Sequence, residues 1–114
     1  MASLILDSVT VFPPDARGRA AIAASHGGVY AAYLAAKAGI KAVILCDAGV
    51  GRERAGIGGL DYLDKLGVAA AAIGHRTARI GDGADCAARG VITFANVLAT
   101  MSGIAPGMTA SDAL

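Results

Sequence analysis

The sequence has no tryptophan, and only three tyrosines and two phenylalanines. That scarcity excludes a core built on large rings, so small aliphatic side chains must fill the interior. Alanine alone supplies 27 of the 114 residues. Charge is scarce as well: 17% of residues are charged, ten basic against nine acidic, for a net charge of +1. There is no Lys/Arg block and no interleaving of basic with aromatic residues, which excludes the electrostatic footprint of a nucleic-acid binder. Long apolar runs are missing too. No stretch approaches the ~18 uninterrupted apolar residues of a membrane span. "MASLILDSVT" lacks the basic start and long apolar region of a signal peptide. The two cysteines, Cys46 and Cys86, show neither metal nor redox spacing, and a reduced, cytoplasmic protein is expected.

What is present is a short, apolar chain with 16 glycines. Its length predicts a single domain, residues 1–114. A small, very apolar, weakly charged chain often completes its core at a subunit interface, so a homo-oligomer is expected.

"SLILDSVTVF" reads as a strand, "PPDARGR" as a turn and "AAIAAS" as a short buried strand. "GVYAAYLAAKAG" has helical composition, with Gly39 as its C-terminal cap. "IKAVILC" is the clearest strand, apolar on both faces as a central parallel strand should be. "IGGLDYLDKLG" predicts an amphipathic helix ending at Gly67. "VAAAAIG" reads as a strand, with helix left open, and a third helix is expected over Ile92 to Met101. This order predicts an α/β fold: a single small domain with a mostly parallel sheet of about four strands and flanking helices. The first strand is expected to pair antiparallel with the second through "PPDARGR".

Three polar loops follow predicted parallel strands: Ser25–Gly28, Cys46–Arg54 and His75–Asp85. Strands of one direction bring such loops to one edge of the sheet, where open α/β sheets bind ligands. Both histidines and most arginines fall in these loops. In "SHGG", Ser25 is a candidate N-cap, while Gly27 and Gly28 are candidates to present N–H groups to an anion. The stretch lacks the full dinucleotide and P-loop signatures, so neither NAD nor ATP is predicted and the cofactor stays unknown. His26 and Asp47 are acid/base candidates. Each has a plainer reading as a group hydrogen-bonded at a helix terminus or turn. Ser25 would position a ligand or act as nucleophile. Arg52, Arg54, His75, Arg76 and Arg79 are candidates to hold a carboxylate or phosphate. An exposed loop tip or salt bridges at a subunit contact would explain them equally. Asp82 is a ligand-binding candidate or a helix cap, and Asp85 complements a helix dipole. Asn96, on an apolar stretch, is expected to reach the same site or to hydrogen-bond across an interface. No two potential metal ligands show helix or hairpin spacing, so no metal is expected.

From "GIGGLDYLDKLG" through "AAAIGHRTARIGD" to "GIAPGMTASDAL", the second half resembles the YunC-like family of small bacterial α/β proteins. The positions that carry the resemblance are Gly59, Asp61, Gly74, His75, Gly103, Pro106, Gly107, Met108, Ala113 and Leu114. The first half departs from that pattern. With its S-H-G-G, D-A-G-V-G and A-R-I-G-D-G motifs, the chain is similar instead to a bacterial group that carries the three together. The resemblance implies a compact α/β fold in a bacterial cytoplasm. It carries no activity and no catalytic residues.

Two functions follow as expectations. One is a small oligomeric protein that binds a small anionic metabolite at the C-terminal edge of the sheet, with hydrolase, lyase or isomerase chemistry open to it. The other is a non-catalytic assembly module whose polar loops form subunit contacts.

Overall fold

Alternating apolar side chains put successive residues of a strand on opposite faces of a sheet. The central run Ala42–Cys46 does this between two cores: Val43 and Leu45 face one, Ile44 and Cys46 the other. A computed structural model describes residues 3–114. Met1 and Ala2, the first two residues of the "MASLILDSVT" stretch expected not to be a signal peptide, lie outside the described residues. The strands are β1 (Leu4–Leu6), β2 (Ala20–His26), β3 (Ala42–Cys46), β4 (Ala69–Ile73) and β5 (Ile92–Ala95). They form one sheet in the order β1-β2-β3-β4-β5. The first four run parallel, and β5 closes the edge antiparallel.

The helices are α1 (Val29–Lys37), α2 (Gly58–Lys65), α3 (Gly83–Arg89), α4 (Val97–Met101) and α5 (Ala110–Ala113). Alanines of α1 pack with Leu60 and Leu63 of α2 over Ala21, Val43 and Ala70 of the sheet. Cys86 of α3 and Ala110 of α5 join Ile22, Ile44 and Ala71 on the opposite face. The alanine content expected to fill the interior does so, and it lets helices lie close to the strands. No described helix is long and apolar enough to cross a membrane.

The small, mostly parallel sheet of about four strands that the sequence predicts is present, with five strands. Three expectations are corrected. β1 pairs with β2 in parallel, with Ile5 opposite Ile22. "SLILDSVTVF" is a strand only over Leu4–Leu6, because Ser8 caps a single 3-10 turn at Val9–Val11. The connection from residue 7 to 19 is then long enough to carry the chain back for a parallel crossover. The predicted helix over Ile92–Met101 is a strand, Ile92–Ala95, followed by α4. β-branched Ile92 and Thr93 favour the pleated edge beside β4, and Asn96 caps the helix that follows by accepting from the Ala99 N–H.

Asn96 reaches neither a site nor an interface. It is buried, its Oδ1 also accepts from the Ala70 N–H, and its Nδ2 donates to the carbonyls of Leu60 and Val68. All its bonding capacity ties α2, β4 and α4 together.

Candidate functional site

Because β2, β3 and β4 are parallel, their following loops meet at one edge of the sheet, as the loop pattern predicts. Asp47 leaves the end of β3 and is only 4% exposed. His75 leaves the end of β4, with its side chain 47% exposed. Asp47 Oδ1 accepts from the Gly49 N–H at 2.8 Å and the His75 N–H at 3.0 Å, and lies 3.1 Å from His75 Nδ1. Its Oδ2 accepts from the Thr93 hydroxyl at 2.9 Å. Burial pushes the Asp47 carboxyl upward. The bonds from Gly49, Thr93 and the backbone and ring of His75 outweigh that and hold it below the usual carboxylate range. An ionised carboxylate only accepts, so the proton of neutral His75 sits on Nδ1. That leaves the Nε2 lone pair as the imidazole's free basic position.

Thr93 reaches Asp47 because of an irregularity in the sheet. Ala72 pairs with Phe94 and Ile73 with Ile92, which leaves Thr93 as the extra residue of a β-bulge. A bulge re-aims a side chain. Thr93 was absent from the sequence candidates because its segment reads as helix there. The β-branched "VIT" was the available signal.

The loop after Asp47 is strained. Ala48 (φ 50°), Gly49 (φ 77°), Val50 (φ 66°) and Gly51 (φ 72°) all have positive φ, and so do Glu53 and Arg54. Left-handed backbone is uncommon for alanine and an outlier for a β-branched residue. Strain of this kind clusters at functional sites, where the surroundings enforce it. Here the Val50 N–H donates to Asp47 O at 2.6 Å, and the Gly56 N–H donates to Val50 O at 2.7 Å. The His75 ring lies over Gly49: a Cβ there would sit 3.6 Å from His75 Cε1.

The structure separates the candidates into groups. Asp47 and His75 form a pair, so the orienting carboxylate goes to His75 and not to His26. Arg76, Arg79 and Asp82 line a cleft of about 330 Å³ together with Asp85 and Arg89. Asp85 accepts from the Arg79 N–H and pairs with Arg89 Nε at 3.5 Å. Among the described residues, the Arg76 and Arg79 guanidinium groups make no ion pair. Arg89 is the lining residue not foreseen; "AARG" marks a helix end and does not point to a site. Asp82 is the N-cap of α3 and accepts from the Asp85 N–H.

Arg52 and Arg54 do not join this cleft. Arg52 is exposed, and Arg54 lies 5.8 Å over the Phe94 ring, anchoring the strained loop to β5. Ser25 is not the N-cap of α1. That position is Gly28, without a side-chain cap. The Ser25 hydroxyl instead accepts from the Val9 N–H at 3.0 Å and lies 3.4 Å from Ser8 Oγ, so it serves the β1–β2 connection. The glycines of "SHGG" do not offer their N–H groups to an anion. Gly27 donates to Cys46 O, and Gly28 donates to His26 Nδ1 at 3.1 Å. They are glycines because backbones abut there: a Cβ on Gly27 would lie 2.7 Å from Gly56 O, and one on Gly59 would lie 2.5 Å from Gly28 O.

His26 pairs with Cys46 in register, and Cys46 with Ile73. His26 and the start of the His75 loop are therefore two strands apart, about 10 Å. Cys46 and Cys86 are buried free thiols. Burial raises both, Cys86 to about 11, so neither is an activated nucleophile. Among the described residues no group of three or more His, Cys, Asp or Glu side chains stands together to hold a metal ion.

No protein-family model matches the chain, and comparison with curated proteins and with solved structures finds no significant match.

Proposed function

We propose that the C-terminal edge of the sheet is a site for a small organic anion, a carboxylate or phosphate, on which His75 acts as general base. The observation that carries this reading is the Asp47–His75 pair. A buried, ionised carboxylate fixes the tautomer and orientation of an exposed imidazole, which is the division of labour that proton abstraction requires. The adjoining Arg76–Arg79 cleft supports the anionic character of the ligand, since guanidinium groups without acidic partners favour bidentate carboxylate or phosphate binding. Proton abstraction fits lyase, isomerase or water-activating hydrolase chemistry equally.

A panel of small carboxylates and phosphate esters, screened by thermal shift, tests it. Ligand-dependent stabilisation that disappears in Arg76→Ala/Arg79→Ala supports the reading. No response from any member would favour the assembly module. That second reading draws on one observation: Val29, Tyr30 and Tyr33 of α1 are exposed, Tyr30 by 70%, with the two rings stacked 6.5 Å apart. The same apolar surface supports a homo-oligomer, and two reduced thiols are in keeping with a cytoplasmic setting.

A further inference from the structure

We infer that the ligand of this site is an organic anion with an apolar body, its charged head in the arginine cleft and its body along a neighbouring groove. The inference rests on the reading of the cleft as an anion site and adds the class of molecule it takes. Ala48, Val50 and Ile80 line the groove with His26; it is an open depression of about 410 Å³. The two cavities share one loop. Arg76 and Arg79 enter the cleft, while Ile80, the next residue, enters the groove.

His75 is linked to both cavities through its neighbours. Its chain neighbour Arg76 lines the cleft, and its ring covers Gly49, whose neighbours Ala48 and Val50 line the groove. The sequence offers an apolar wall where solvent would otherwise favour polar residues. Ile80 is 48% exposed between the polar neighbours of "RTARIGDG". The strained φ of Val50 brings a second branched apolar side chain to the same groove. His26 adds one polar point. Its Nδ1 accepts from the Gly28 N–H, so the neutral ring carries its proton on Nε2 and can donate to a substituent on the body.

Titrations of the full chain, followed by amide chemical shifts, test this with inorganic phosphate and with acetate, butanoate and hexanoate. Affinity should rise from acetate to hexanoate by about three- to fourfold per methylene until the groove is filled. Shifts should spread from Arg76 and Arg79 to Val50 and Ile80 as the chain lengthens. Ile80→Ser, at an exposed position, should flatten the rise while leaving phosphate and acetate binding within about twofold. Arg76→Ala/Arg79→Ala should weaken every member at least about tenfold. Equal affinity for acetate and hexanoate, with the arginines still required, would overturn the apolar body and leave the anion site standing. A rise with chain length that ignores Ile80 would also overturn it. No binding by any member would remove both.

Discussion

Thr93 donates its hydroxyl to Asp47 Oδ2 while His75 occupies Oδ1, so the carboxylate that leaves β3 is held by a residue of β5, although β3 and β5 do not pair with each other. β4 lies between them. The bulge in β5 spans that gap, and it makes Thr93 a support for the Asp47–His75 geometry.

Thr93→Val keeps the shape and removes the hydroxyl. Asp47 Oδ2 then loses its side-chain donor in a buried setting. Denaturant unfolding at neutral pH should show a loss of about 1–3 kcal/mol. A value near zero would mean that water replaces the hydroxyl at no cost.

Acid should destabilise the protein partly through Asp47. Its folded carboxyl sits below its unfolded value of about 3.9, so its contribution is complete above that pH and is lost as pH falls through the lower folded value. Asp47→Asn should be less stable at neutral pH by about 1.5–3 kcal/mol. The gap to the unsubstituted protein should narrow below about pH 4. A gap that stays constant down to pH 2 would show that the carboxylate charge is not what the site stabilises.

His75→Gln separates chemistry from stability. Its ring is half exposed, and Asp47 keeps the Gly49, Thr93 and position-75 backbone donors. Stability should fall by no more than about 1 kcal/mol. Turnover of a substrate identified by the ligand screen should fall about 10²–10⁴-fold, the range for removal of a general base. Unchanged kcat would move the role of base elsewhere.

Gly59→Ala tests the contact between the start of α2 and the "SHGG" turn. The new Cβ would meet the carbonyls of Gly28 at 2.5 Å and Gly27 at 2.7 Å, which are backbone and cannot rotate away. A loss of about 1–3 kcal/mol is expected on overpacking, with amide shifts reaching His26. Gly18→Ala is the control for an open position, since no atom lies within 4 Å of its Cβ, although its φ of 78° makes alanine itself strained.

The α/β class and the gathering of loops at one sheet edge were legible because they follow from apolar periodicity and strand direction, and Ala42–Cys46 carries both signals. The pairing of β1 was not. A run such as "SLILDSVTVF" has strand composition throughout, and only the Ser8 cap on the Val9 turn divides it. Thr93 was hidden because four residues, Ile92–Ala95, are too few to show a period of two before Asn96 starts a helix. Asp47 stood out as a carboxylate leaving a buried strand. Its partner could not be read, since His26 and His75 are equally placed at strand ends. Sheet register and the left-handed run after Asp47 decide between them. The glycines of "SHGG" looked like ligand contacts because sequence does not tell a backbone approached by a ligand from a backbone approached by another backbone.

The strand order β1-β2-β3-β4-β5 makes every strand the spatial neighbour of its neighbour in sequence. Each new pairing closes only the loop of a single crossover, so the entropy of closure accrues in small steps. The sheet can grow strand by strand, without waiting for distant segments to find one another. The long-range tie comes separately: Asp7 Oδ1 accepts from the Gly83 N–H across 76 residues, fastening the start of α3 beneath the first strand. Folding kinetics should therefore separate early sheet growth from a later docking of α3, and the cleft lined by Arg79 and Arg89 would be complete only at that second stage.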